Sequence, residues 1–290
     1  MAALDQAVSP SHETCGRVGV AFSSGFFGFF AHAGFLAAVR EMDMMPSAYA
    51  GASSGAIVAA MAASEMTDEE IRKLLFNVHK NDFWDPDPLP SFLRSALRLF
   101  RGYTGYLRGE GFKRLLKRLP AEKFEECAYP LAISAVDVNH RREKIFTSGN
   151  LISAVQASGS VPILFKPTEI DGIFYLDGGI SGEAPVEALA DLCDLDTILI
   201  HLIPSANVKE PGNGFMGKIF TPWQLQHIAV DTARMEDYER QKCIVSLRGV
   251  KVIELDTKTA SLGPKTLHKG PNAYEAARRS ALQQLARLFP

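Results

Sequence analysis

The sequence predicts an α/β fold of three layers, α/β/α, with a mainly parallel central sheet, and three observations predict it. Residues 17–63 alternate apolar strand, glycine-bearing turn and helix twice over, the pattern of parallel strands joined by crossover helices. Residues 17–22 and 197–203 are apolar almost throughout, as strands covered on both faces are. A chain of 290 residues, 47% of them hydrophobic, is also long enough to bury a large core between two helix layers.

Taken in order, residues 1–16 are expected to form a flexible leader and 17–290 a single domain, because no repeat or linker divides the rest. The first strand, 17–22, runs into Ser23-Ser24-Gly25-Phe26-Phe27-Gly28, and a helix follows over 29–42 with His32 in its first turn. A short strand ends at Tyr49-Ala50-Gly51-Ala52. The Ala-rich run 56–63 is a strong helix former. Thr67-Asp68-Glu69-Glu70 has the capping-box form and starts a helix reaching about 78. The Pro- and Asp-rich residues 83–90 read as a loop. A strand over 131–137 pairs with 143–147 across an Asn139-His140 turn, and 151–157 is a short helix. A strand over 173–176 ends at Asp177-Gly178-Gly179. After the 197–203 strand, residues 207–217 form a Gly/Pro/Asn loop, and Thr221-Pro222 opens a long helix with Pro at its first position. Residues 250–255 are the last strand and 272–289 the closing helix.

Composition narrows the function classes. The formal net charge of −2 gives no support for nucleic-acid binding by the whole chain. Cys15, Cys127, Cys193 and Cys243 are scattered without metal-like spacing, as expected for ordinary thiols in a reducing compartment. No run approaches about 18 uninterrupted apolar residues, and the first residues lack the form of a secretory signal. A cytoplasmic protein is expected. One charge asymmetry stands out: residues 91–120 carry eight basic side chains against Glu110 alone. Phe92, Leu93, Ala96, Leu97 and Phe100 interleave with Arg94, Arg98 and Arg101, so this stretch is a candidate for peripheral contact with an anionic membrane. A pair of solvated surface helices is the competing reading.

The chemistry centres on Gly51-Ala52-Ser53-Ser54-Gly55. In this G-x-S-x-G spacing a serine sits on a sharp strand-to-helix turn, with Gly51 and Gly55 leaving room for the adjacent elements. At a helix N-terminus, Ser53 would face N–H groups that favour developing negative charge. A nucleophilic serine also needs a base and oxyanion donors. The 23–28 loop opens a helix and could supply amides from Ser24, Gly25 and Phe26. A dinucleotide loop fits poorly there, since the first glycine is missing and Phe26 and Phe27 are bulky. For the base, Asp177 lies at a predicted strand end, although Asp-Gly is also a common turn dipeptide. A Ser-His-Asp arrangement through His201 or His227 remains an alternative in chain order. Against it, an elbow at residue 53 leaves room for only about two preceding strands.

Together the 23–28 loop, the Gly51 to Gly55 elbow and Asp177-Gly178-Gly179 resemble the patatin-like phospholipase family, in its order. The resemblance extends through Ala157-Ser158-Gly159-Ser160-Val161-Pro162 and through 175–186, with Pro185 after the aspartate. It implies a Ser–Asp dyad, in which Ser53 attacks an ester carbonyl and Asp177 takes its proton, with oxyanion donors from the Ser24, Gly25 and Phe26 loop. It implies a lipid ester as substrate, of phospholipase A or lysophospholipase type, with no metal or organic cofactor. Phe27 departs from the family's usual basic residue, His32 stands one residue further along, and Glu183 replaces a common Asn. A lipid-binding protein that keeps the fold with weak or no turnover is the reading those departures leave open. Six phenylalanines (22, 26, 27, 29, 30 and 35) crowd this end, as an acyl channel or as helix core.

Overall fold

A computed structural model describes residues 17–88, 104–203, 222–259 and 262–289. The leader at 1–16, the basic segment 91–103 and the loop at 207–217 lie outside the described residues. The remainder holds ten strands: β1 (Val18–Phe22), β2 (Ala48–Ala52), β3 (Gly105–Leu107), β4 (Leu131–Asp137), β5 (Arg142–Phe146), β6 (Ile163–Phe165), β7 (Thr168–Ile170), β8 (Ile173–Asp177), β9 (Thr197–Leu202) and β10 (Lys251–Asp256). The central sheet runs β10-β9-β1-β2-β4-β8-β7, with β5 paired to β4 off this path. From β10 to β4 all pairings are parallel; β8 on β4, β7 on β8 and β5 on β4 are antiparallel.

Alternation along each strand builds the layers, because successive side chains leave opposite faces. Val18, Val20, Phe22, Tyr49, Leu131, Ile133, Leu199 and Ile253 join one core, and Ala21, Ala48, Ala50, Ala132, Ile198 and Ile200 join the other. Against the first face pack helices α1 (Phe29–Glu41), α2 (Ser54–Ala63), α3 (Asp68–Phe76) and the closing helix α9 (Gly270–Leu288). Thr67 caps α3 as expected: its hydroxyl accepts from Glu70 N at 3.3 Å and Glu70 Oε2 accepts from Thr67 N at 2.8 Å. The second face is covered by α7 (Val186–Leu192) and α8 (Pro222–Leu247), which bring Val186, Leu189, Tyr238 and Val245 onto the alanine-rich side.

Three helices differ from the sequence expectation. A four-residue helix α4 (Lys80–Phe83) follows α3, α7 lies where no element was expected, and α5 (Glu110–Leu116) occupies the basic stretch. Its described part, residues 104–120, holds a strand as well as that helix. Its β3 pairs in parallel with β6 in a separate two-stranded sheet, and Leu107, Phe112, Leu116 and Leu119 are buried. Arg108, Arg114, Lys117 and Arg118 remain exposed around them. Short strands such as β3 and β6 carry too few residues to show a period.

Register places the site. Ala52 lies beside Ser134 on β4, and Asp177 lies beside the next residue, Ala135, further along the same edge of that strand, opposite β5. Ser53, one residue past Ala52, therefore comes level with Asp177. The last short helix of the order, α6 (Leu151–Ser158), ends against the same level.

The core makes a stability prediction. Leu199 is fully buried in β9, so Leu199→Ala should lower unfolding free energy by about 2–5 kcal/mol. Leu247→Ala, at an 82% exposed position on α8, should change it by no more than about 0.5 kcal/mol. Urea unfolding of the two variants checks both, and a comparable loss in each would contradict the layer assignment.

Candidate active site

The turn after β2 puts Ser53 at φ 54° and ψ −118°, a conformation that side-chain-bearing residues rarely hold and that costs about 1–3 kcal/mol. Its neighbours allow it. A methyl on Gly55 would collide with the carbonyl oxygens of Phe22 and Ser23, and one on Gly51 would strike the Gly55 backbone. Both elbow glycines let the start of α2 lie directly on the ends of β1 and β2. The strained turn is held from outside by α6, whose Ser158 Oγ accepts from Ser53 N at 2.9 Å.

Ser53 Oγ donates to Asp177 Oδ2 at 2.6 Å, across 124 positions of sequence. The other carboxylate oxygen, Oδ1, accepts from Gly179 N at 2.7 Å, which closes the turn that follows β8. Gly178 fits here because any side chain would run into the Ser134 carbonyl. Asp177 is buried, 5% exposed, and its own N–H donates to the Ser160 carbonyl at 3.0 Å. Burial pushes its carboxyl up from the ordinary carboxylate range to about 6, opposed by the Ser53 and Gly179 hydrogen bonds and by the charge of Arg234. A carboxylate at that value is a base matched to neutral pH. Ser158 and Ser160, two positions apart, thus fasten the serine and the aspartate respectively; no local pattern marked either for that role.

The expected oxyanion donors divide. The N–H of Ser24 already donates to the Glu183 carbonyl at 2.8 Å, which removes it as a free donor and corrects the expectation for that residue. Gly25 and Phe26 N–H have no partner among the described residues, nor does the N–H of Ser54, the residue after the turn serine. Ser54 N–H is a candidate donor that the sequence reasoning did not name; the general geometry of nucleophile elbows, in which the following amide faces the oxyanion, is the signal for it. Phe27, where the family's basic residue is usual, adopts φ 53° and packs edge-on between Phe26 and Phe29.

The histidines stand elsewhere. His201 on β9 is fully buried, with Nδ1 2.7 Å from His32 Nδ1 and Nε2 2.7 Å from Thr257 Oγ1, so neither ring nitrogen turns to Ser53 or Asp177. Burial lowers His32 to about 3 and holds His201 well below the usual imidazole range. Both stay neutral. The side chain of His227 lies outside the described residues. Of the six phenylalanines, Phe22, Phe29, Phe30 and Phe35 are core, and Phe26 is exposed beside the loop. Phe29 also borders a small apolar hollow of about 20 Å³, lined with it by Ile57, Met61, Leu74 and Leu115. Among the described residues no His/Cys/Asp/Glu cluster is arranged to hold a metal ion, and no helix is long and apolar enough to cross a membrane.

Triacylglycerol lipase 5 of Saccharomyces cerevisiae is 27% identical over 232 residues, covering 65% of this chain and 31% of the yeast protein. An uncharacterized NTE family protein of Mycobacterium tuberculosis is 27% identical over 187 residues, covering 64% of this chain and 49% of its own. The chain spans about half or less of the length of these curated relatives. Among solved structures, VipD from Legionella pneumophila aligns with a TM-score of 0.48 at 14% identity, over 94% of this chain and 67% of that one. A model of the patatin-like phospholipase family matches residues 20–190, which is more than half of the sequence. The chain belongs to the patatin-like phospholipase family.

Proposed function

We propose that residues 17–290 form one acyl hydrolase domain that cleaves lipid esters with a Ser53–Asp177 dyad. The observation that carries this reading is the 2.6 Å hydrogen bond from Ser53 Oγ to Asp177 Oδ2. As Ser53 Oγ bonds to the ester carbonyl carbon, its proton passes to Asp177. The carbonyl oxygen becomes an oxyanion among the N–H groups of Gly25, Phe26 and Ser54, at the positive end of α2. Collapse breaks the ester C–O bond, and Asp177 returns the proton to the departing alcohol. A water then attacks the acyl-serine with Asp177 again as base, releasing the fatty acid and restoring the hydroxyl. Membership of the patatin-like phospholipase family supports a lipid ester of phospholipase A or lysophospholipase type as substrate. The exposed cations of 108–118 support contact with an anionic lipid surface.

A fluorophosphonate probe tests the nucleophile. Labelling of the whole chain is expected, with none in Ser53→Ala; labelling that survives in Ser53→Ala would overturn the reading. Because burial raises Asp177 to about 6, its base form is lost below that value. Ester hydrolysis should therefore fall about tenfold per pH unit below about pH 6. A profile flat down to about pH 4 would remove Asp177 as the base. Ser158→Ala leaves the Ser53 N–H without its acceptor, which should cost about 1–3 kcal/mol of stability and slow probe labelling. Urea unfolding and labelling rates of that variant, compared with the parent, check it.

A further inference from the structure

Arg234 reaches the site from α8, in the layer opposite to α2. Its side chain is 12% exposed, and its guanidinium makes three contacts. Nη2 pairs with the Glu183 carboxylate, Nη1 donates to the Gly179 carbonyl at 3.3 Å, and Nη1 lies 3.5 Å from Asp231 Oδ1. The Nε–H is buried without a hydrogen-bond partner among the described residues. Glu183 is equally enclosed, with its side chain 6% exposed. A buried ion pair of this kind adds little net stability over an apolar pair of similar size. Its placement is more informative. Gly179, whose carbonyl Arg234 holds, is the residue whose N–H binds Asp177 Oδ1. Glu183, whose side chain Arg234 holds, is the residue whose carbonyl accepts from Ser24 N.

We propose that Arg234 is a positioning residue, and that with Glu183 it clamps the Asp177 turn and the 23–28 loop to each other so that base and oxyanion donors keep one spacing. This rests on the hydrolase reading above and deepens it. Glu183 stands where the family often has Asn, so the clamp belongs to this chain's own departure from the pattern. The neutral amide could cap a turn; the carboxylate here needs a cation, and α8 supplies it. Arg234 also acts through its charge, opposing the upward push of burial on Asp177. Asp177 accepts from the Ser53 hydroxyl and the Gly179 N–H and feels the charge of this guanidinium, which Glu183 and Asp231 pair with in turn.

The test follows the pH dependence of fluorophosphonate labelling on the full chain, a reaction in which a Ser53 Oγ–P bond forms, the P–F bond breaks and the proton goes to Asp177. Arg234→Gln should label about tenfold to a hundredfold more slowly at neutral pH, with its midpoint moved to higher pH because the cation that favours ionised Asp177 is gone. Arg234→Lys keeps the charge and loses the two-pronged grip, so its rate should fall with the midpoint unmoved. Should Arg234→Gln fail to fold with Glu183 left unpaired, the double variant Glu183→Gln, Arg234→Met removes both charges; circular dichroism establishes its fold, and it should label slowly with the raised midpoint. A folded variant lacking Arg234 that keeps the parent rate and midpoint overturns the clamp alone. A parent chain that Ser53→Ala shows to be unlabelled at Ser53 overturns the hydrolase reading, and the clamp with it.

Discussion

The structure depends on one short hydrogen bond, from Ser53 Oγ to a carboxylate that water barely reaches. Two demands meet there. The serine must stand on a strained turn, and the aspartate must be buried enough to hold a proton near neutrality. Neither is met locally. Strand β4 sets the two at one height, and the end of α6 holds each by its backbone N–H through Ser158 and Ser160. A rigid scaffold thus carries the cost of two unfavourable local states, as functional sites commonly require.

The two faces of the sheet contribute differently. The first face, with α1 and α2, delivers the turn serine. The second, with α7 and α8, delivers the cation and the carbonyl that engage the loops from behind. Between them the buried His32–His201–Thr257 chain runs beneath the loop after β1, and Ser23 N donates to the His201 carbonyl at 3.1 Å. Those imidazoles are held neutral by burial, so they act as a polar brace under the loop.

The opening of the fold was legible because each step had a local cause. Apolar runs gave β1 and β9, Gly51 and Gly55 marked a turn that tolerates no side chain, and Thr67 with Glu70 announced α3. Asp177 stood out only through its place at a strand end and the family resemblance of the stretches around it, since Asp-Gly by itself reads as a turn. What escaped depended on distant partners. Ser24 loses its free amide to a carbonyl 159 positions later, at Glu183, and nothing in the 23–28 loop could reveal that. Ser158 and Ser160 look like ordinary helix-end serines until packing brings them against the elbow and the Asp177 turn. Arg234 was one cation on a long helix, and β3 and β6 were too brief to show alternation.

Burial of Asp177 has a thermodynamic consequence for the whole chain. An ordinary aspartate in the unfolded chain releases its proton near 3.9, whereas the folded site keeps it to about 6. The native form therefore binds the extra proton more tightly, and this group's support for folding is complete below the unfolded value. It drains away as pH climbs from about 4 to about 6, by roughly 3 kcal/mol, and stays absent above that. Acidification through that window should make the molecule sturdier at this position while neutralising the carboxylate. Ionised Asp177 is a charge that the folded chain tolerates at the expense of its own resilience.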